Sequence, residues 1–351
     1  MPIVATKTAT YSATNGRERI ASSLPDRFLD RSVSLRQTGC YTRRSLHAPV
    51  GSPMRKIFDV HIHFPRNWEN PDEDQAPMVD RLADIASRVG ITKGCMLTGG
   101  RFGPSYERGM EILEKYLDLF IPVAVIDPEE IGPDEVQHLY DMGYRGLKLI
   151  GVARPYDEPD YLPTYAKAEQ LGMPILFHMG VIGGGLDYSI THPRRSAAAA
   201  QAYQRMMAMQ ERMPPRNVSA ARMSPLHLDT IANRFPRLKI IGAHVGNQGN
   251  YDYAASVARW RHNVWFDMSG GETIERHLVE RKLLAANSQG EFGVEKLVWG
   301  SDCGMDEIAE HIRRFEIMYE QLGLTEDEQE RLWWRNAAEI YGLEEPVFAA
   351  E

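Results

Sequence analysis

Ile57-Phe58-Asp59-Val60-His61-Ile62-His63-Phe64 is an apolar run interrupted by three polar residues at alternate positions. In a β-strand, residues two apart share a face, so the imidazoles of His61 and His63 project side by side. Two imidazoles held that closely suit a single metal ion. Asp59 shares their parity one layer deeper, where it either orients a ligand from behind or caps buried backbone. A His-x-His pair also turns up by chance, so its weight depends on what other strand ends supply.

Outward from this run the pattern repeats: a short β-branched stretch, a glycine-rich break, then an amphipathic helical stretch. Strands are expected over 57–62, 93–98, 121–126, 145–150, 174–179, 238–244, 264–268 and 296–301. Helices are expected near 76–89, 104–118, 133–142, 159–171, 226–235, 250–261, 273–286 and 305–320. Strands alternating with helices imply right-handed crossovers and a parallel sheet. Eight units over about 290 residues fit an α/β fold of the (β/α)8 TIM-barrel type, usually ~250 residues plus insertions. A doubly wound open sheet competes, but neither GxGxxG nor GxxxxGK[ST] follows a strand, so its phosphate cradle is missing.

The barrel domain is expected over 54–345, with a tail over 346–351. Between strands five and six, 180–225 is too long for a simple loop. It holds Gly183-Gly184-Gly185, then a helical stretch over 194–213 carrying Met206, Met207, Met209 and Met213 before Pro214-Pro215. Such a segment is a lid, or a helix packed over the barrel mouth. Its methionines suit adaptable apolar contacts with a substrate or with a second copy in a homodimer.

Composition narrows the class. The 43% hydrophobic and 25% charged residues are ordinary for a soluble enzyme. A net charge of −8 without a basic stripe gives no nucleic-acid footprint. No apolar run approaches the roughly 18 residues that span a bilayer. Cys40, Cys95 and Cys303 are too far apart for a metal motif or a disulfide framework, which points to a reducing cytoplasm. Residues 1–53 hold eight Lys/Arg against three Asp/Glu, rich in Ser and Thr, and are expected to be a disordered extension. It reads more plainly as an upstream extension before Met54 than as an organellar transit peptide.

Polar residues recur where the apolar strands end. Lys148 ends Gly146-Leu147-Lys148-Leu149-Ile150, His178 ends Ile175-Leu176-Phe177-His178, His244 ends Ile240-Ile241-Gly242-Ala243-His244, and Asp302 ends Leu297-Val298-Trp299-Gly300-Ser301-Asp302. Barrel active sites are built at these C-terminal ends from several strands. One such histidine is most simply a satisfied core residue. Four of eleven, with an aspartate on the last strand, are harder to bury without a shared partner, and metal coordination satisfies them together.

With these residues, with Ser224-Pro225-Leu226-His227 through Arg234-Phe235-Pro236-Arg237-Leu238-Lys239-Ile240-Ile241, and with Asn336-Ala337-Ala338-Glu339-Ile340-Tyr341-Gly342-Leu343, the chain resembles the amidohydrolase superfamily. The resemblance covers about 57–343 and is to the amidohydrolase-related branch, which includes aminocarboxymuconate-semialdehyde decarboxylase. It implies that His61, His63, His178 and Asp302 hold one divalent metal, and that His244 and Asp302 are catalytic. Zinc is the leading metal, with manganese and iron next. In binuclear members a strand-four lysine is carbamylated and bridges two metals. Lys148 is expected to face the interior, and one metal is the default reading. Many relatives place a proline soon after the strand-eight aspartate, where this chain has Cys303-Gly304.

The expected activity is hydrolysis of a C–N or C–O bond (amide, lactone or ester) in a small carboxylated molecule, with Asp302 moving the proton. The alternative is non-oxidative decarboxylation at the same site. Arg101 and Arg154, in loops at the correct end, and Trp68, after strand one, are expected near the substrate together with Lys148. Ser269-Gly270-Gly271 is expected to offer backbone N–H groups to an anion.

Overall fold

The run that began the reading forms the first strand, β1 (Ile57–His63), in a computed structural model that describes residues 55–66, 74–100, 103–182, 192–212, 217–247, 249–283 and 293–343. Seven more strands follow: β2 (Ile91–Thr98), β3 (Phe120–Ile126), β4 (Gly146–Leu149), β5 (Ile175–Phe177), β6 (Ile240–Gly242), β7 (Val264–Asp267) and β8 (Leu297–Val298). They pair in parallel and in sequence order from β1 to β8. The ring closes where Val60 N donates to Trp299 O (3.1 Å) and Asp302 N to His61 O (2.9 Å). Gly300 permits this approach, since a Cβ there would lie 2.8 Å from His61 Cβ. The chain is a (β/α)8 TIM barrel.

Helices fill the connections: α1 (Ala76–Val89), α2 (Tyr106–Leu113), α3 (Pro133–Met142), α4 (Leu162–Leu171), α5 (Ala197–Arg212), α6 (Pro225–Arg234), α7 (Tyr251–Trp260), α8 (Glu272–Arg281) and α9 (Ile308–Leu322). Their ends follow local chemistry. Helix α1 stops at Gly90, whose left-handed backbone (φ 88°) returns its N–H to Ala86 O and hands the chain straight to β2. Helix α6 starts at Ser224, whose hydroxyl accepts from Leu226 N, with Pro225 in the first turn. The helix of the long insertion is α5, and most of its described side chains are exposed, Met207 among them at 37%. The triple glycine, Pro214-Pro215 and the 1–53 extension lie outside the described residues. Among the described residues, no helix is long and apolar enough to cross a membrane.

Alternate residues of the strands feed two apolar bodies. Met96, Ala124, Ile126, Leu147, Leu149, Ile175, Phe177, Ile240, Phe266 and Leu297 pack outward under the helices. Cys95, Leu97, Ile121, Val123, Val125, Leu176, Ile241, Ala243, Trp265 and Val298 pack inward with Phe58 and Val60. The floor is plugged by the C-terminal segment: Ala337, Ala338 and Ile340 join the inner body, and the rings of Trp334 and Tyr341 lie 5.7 and 5.4 Å from Phe58.

β1 departs from strict alternation. Asp59 pairs with Gly94 and Ile62 with Met96, so Val60 and His61 together stand opposite one residue, a β-bulge. Phe58 and Val60 therefore face the interior while Ile62 faces out, and His61 and His63 still face the mouth. Parity across the bulge is broken, so Asp59 cannot be placed by counting. Its Oδ1 accepts from His61 N (3.0 Å) and Ser301 N (2.9 Å), which makes it a clamp on the backbone of the β1–β8 seam. Of the two readings offered for Asp59, this is the backbone cap. Burial raises its carboxyl to about 6 against the pull of the bonds from Ser301 and His61.

Candidate metal centre

The polar strand ends meet at the C-terminal mouth. Among the described residues, donor atoms of His61, His244 and Asp302 lie within 4.8 Å of one another. His61 Nε2 is 3.7 Å from Asp302 Oδ1, and His244 Nε2 is 3.8 Å from Asp302 Oδ2. His63 joins through Asp302, its Nε2 3.0 Å from Oδ1, and His178 joins through His244, its Nδ1 3.3 Å from His244 Nε2. The four histidines and the aspartate singled out from the sequence thus form one cluster, in which His244 stands as close to Asp302 as His61 does. Lys148 lies beneath, fully buried, its Nζ 3.4 Å from His61 Nε2.

Asp267, which the sequence pattern did not single out, and Ser269, which it assigned a different role, organise the cluster. Asp267, the last residue of β7, accepts His61 Nδ1 on Oδ2 (2.8 Å). Its Oδ1 accepts His244 N (2.9 Å), Ser269 N (3.0 Å) and the Ser269 hydroxyl (2.5 Å). The signal was present in Val264-Trp265-Phe266-Asp267, an apolar run ending on a carboxylate as strand eight does. Ser269 was expected to lend its backbone N–H to an anion; that N–H is instead committed to Asp267.

These bonds fix protons. Facing a carboxylate, His61 Nδ1 must carry hydrogen, which leaves Nε2 bare. Ser269 gives its one hydroxyl proton to Asp267, so at His244 Nδ1 (2.9 Å) it can only accept, and His244 Nε2 is bare as well. His178 Nε2 faces the carbonyl of Val181 (3.2 Å) and must donate, so its Nδ1 is bare. The lone pairs of His61 Nε2, His244 Nε2 and His178 Nδ1 therefore gather with the Asp302 carboxylate, the first of them also within reach of the Lys148 ammonium. Such a donor set fits a cation, and three nitrogens with one carboxylate oxygen match a zinc ligand set.

The electrostatics agree. Burial, then the Lys148 charge, push His61 down to about 4, and burial with the neighbouring imidazoles pushes His178 well below its usual range. Both rings are neutral near pH 7. Burial works to raise Asp302, but His61 and His63 outweigh it and hold the carboxyl well below the usual range. Burial lowers Lys148 to about 8, partly offset by Asp267 and Asp302.

The mouth is also strained. His244 (φ 61°), Val245 (φ 43°), Asn247 (φ 66°) and Asp302 (φ 41°) adopt left-handed backbone without being glycine. Such positions cost on the order of 1–3 kcal/mol each and persist only where the surroundings over-determine them. Here the His244 turn is pinned at His244 N by Asp267, and at Asn247, whose side chain donates to Met179 O (3.0 Å) and Val181 O (2.9 Å).

Arg154 is engaged by Glu129 (two bonds of 2.9 Å) and Asp160 (2.5 Å) and packs over the Tyr161 ring, so its charge serves that surface network. Trp68 and Arg101 lie outside the described residues. Cys303 carries no nucleophile character, since burial raises its thiol to about 12.

Solved structures share the fold at low identity. A probable 2-pyrone-4,6-dicarboxylic acid hydrolase from Acinetobacter baumannii aligns at a TM-score of 0.53 and 14% identity, over 82% of this chain and 99% of its own. The 5-carboxyvanillate decarboxylase of Sphingomonas paucimobilis aligns at 0.52 and 15%, over 82% and 99%. An amidohydrolase from Burkholderia multivorans, solved with bound zinc, aligns at 0.50 and 14%, over 82% and 99%. No curated protein matches the chain by sequence. The family model described as amidohydrolase matches residues 58–343, nearly the whole barrel, and the chain belongs to the amidohydrolase family.

Proposed function

We propose that the chain is a cytoplasmic hydrolase that uses one divalent metal, zinc first, to cleave a C–N or C–O bond in a small carboxylated amide, lactone or ester. The family is metal-dependent and contains both hydrolases and decarboxylases. The observation that carries the reading is the gathering of His61, His63, His178, His244 and Asp302 at the strand ends. His61, His63, His178 and Asp302 would hold the ion. When bound, it supplies a Lewis acid that makes water a nucleophile near neutral pH.

The chain's own groups do the rest. Asp302 takes the proton of the attacking water and returns it to the leaving group. His244, with its Nδ1–H given to Ser269, offers Nε2 as an acceptor and so orients that water. The second reading, loss of CO2 from a conjugated carboxylate, is favoured by one observation: Asp302 is held well below the usual carboxylate range and is a weak base.

Metal analysis of the purified chain, followed by a panel of lactones, esters, amides and aromatic carboxylates, tests both. One equivalent of metal with acid release and no CO2 is the expected result. CO2 evolution moves the chain to the second reading, two equivalents implicate Lys148 as a bridge, and a metal-free active enzyme sinks the mechanism.

A further inference from the structure

The geometry points to Asp267 and Ser269 as a positioning pair that sets the tautomers of His61 and His244 together, before any metal arrives. The inference rests on the metal-site reading above. Asp267 ends β7 and Ser269 follows two residues beyond it, and both are fully buried.

Asp267 receives four donors: His61 Nδ1–H on one oxygen, and His244 N–H, Ser269 N–H and Ser269 Oγ–H on the other. Three of these donors share Oδ1 and His61 Nδ1–H alone faces Oδ2, so the ionised carboxylate is an acceptor toward both segments. The Ser269 hydroxyl acts as a relay. Having spent its proton on Asp267, it accepts from His244 Nδ1 at 2.9 Å and lies 3.3 Å from His61 Nδ1.

One buried charge thus forces hydrogen onto the Nδ1 atoms of two rings from different strands, and both Nε2 atoms are left bare toward Asp302. The two imidazoles stand between a carboxylate that fixes their protons and a carboxylate that shares their ligand. Because His244 N is bonded to the same oxygen, Asp267 also holds the left-handed turn that presents the second ring.

Asparagine at 267 keeps the size and reverses the sign of the choice. Its amide can donate to His61 Nδ1, which drives the ring hydrogen to Nε2 and blocks that lone pair. Alanine at 269 removes the relay to His244 and leaves the His61 bond to Asp267 in place. Outer partners of metal-bound histidines are worth about 10–100-fold in metal affinity.

The test is two-bond 1H–15N correlation spectroscopy of the metal-free chain labelled at histidine, alongside zinc titration. In the unmodified chain His61 and His244 should both carry hydrogen on Nδ1. Asp267→Asn should move His61 to the Nε2–H form and weaken zinc about 10–100-fold. Ser269→Ala should release the preference at His244 and spare His61; if Asp267→Asn fails to fold, this variant carries the test. Nε2–H at either ring of the unmodified chain, or unchanged tautomers in the folded variants, overturns the assignment. Correct tautomers in a chain that takes up no zinc would leave the pair standing and defeat the metal reading instead.

Discussion

The floor and the mouth of this barrel are built from the same strands and obey different rules. At the floor, Phe58, Val60, Ile121, Val123, Ile241 and Val298 meet the plug of Ala337, Ala338 and Ile340, and burial alone holds them. At the mouth, His61, His178, His244, Lys148 and Asp267 are nearly as deeply buried, yet their stability depends on finding a partner for every polar atom. The floor can lose a contact and relax. The mouth cannot lose one hydrogen bond without redirecting a proton. Fold and chemistry are thereby separated along the strand axis.

The largest expected effect falls on the mouth. His61→Ala should release the metal and drop turnover to background, with the barrel still folded by far-ultraviolet circular dichroism though less stable for the unpaired Asp267. A variant that loses the fold together with the metal would break the separation. Next comes the floor: Phe58→Ala removes the ring packed on Trp334 and Tyr341 and should cost about 4 kcal/mol in denaturant unfolding. Metal stoichiometry and turnover per folded molecule should hold, and a metal-free folded variant would show that the floor does position the site.

A smaller effect is expected behind β8. His311, packed on Trp299 and Phe315, is pushed down to about 4 by burial and the Arg314 charge. Its unfolded value is near 6.5, so between those limits the unfolded chain binds more protons and stability falls as pH falls. His311→Gln should remove on the order of 2 kcal/mol of that acid sensitivity between pH 6.5 and 4. Parallel pH profiles of unfolding free energy for both proteins would assign the sensitivity to other groups. The smallest effect tests strain. Lys282, exposed at the end of α8 with φ 56°, is left-handed like His244 and Asp302 but outside the mouth. Lys282→Gly should stabilise by about 1 kcal/mol without touching activity. A loss of activity there would mean that strain at the rim is functional too.

The barrel was legible because alternation of 2 and 3.6 residues is written directly in the chain; helices 76–89 and 133–142 coincide with α1 and α3. Strand ends were read too long on β5, β6 and β8, expected to reach 179, 244 and 301 and ending at Phe177, Gly242 and Val298. On β6 and β8 the shortfall falls at the turns that swing a polar side chain over the mouth, at the left-handed His244 and Asp302. The histidines and Asp302 could be found because each breaks an apolar run. Asp267 broke one too, but its role lies in four bonds to residues of distant or irregular segments, and no spacing rule encodes those. For Arg154 the position in the chain gave no hint of the carboxylates of Glu129 and Asp160 that engage it.

The bulge in β1 has a consequence for how this site could arise or be lost. A regular seven-residue strand that keeps Phe58 and Val60 inside would turn Ile62 inside and both histidines out toward the helices. The extra residue acts as a phase shift, letting one strand be written in two frames, hydrophobic in the first half and ligand-bearing in the second. Removing one residue of the pair Val60-His61 would restore strict alternation with Phe58 and His63 still facing inward, and the strand could then carry the floor contact of Val60 or the ring of His61 but not both.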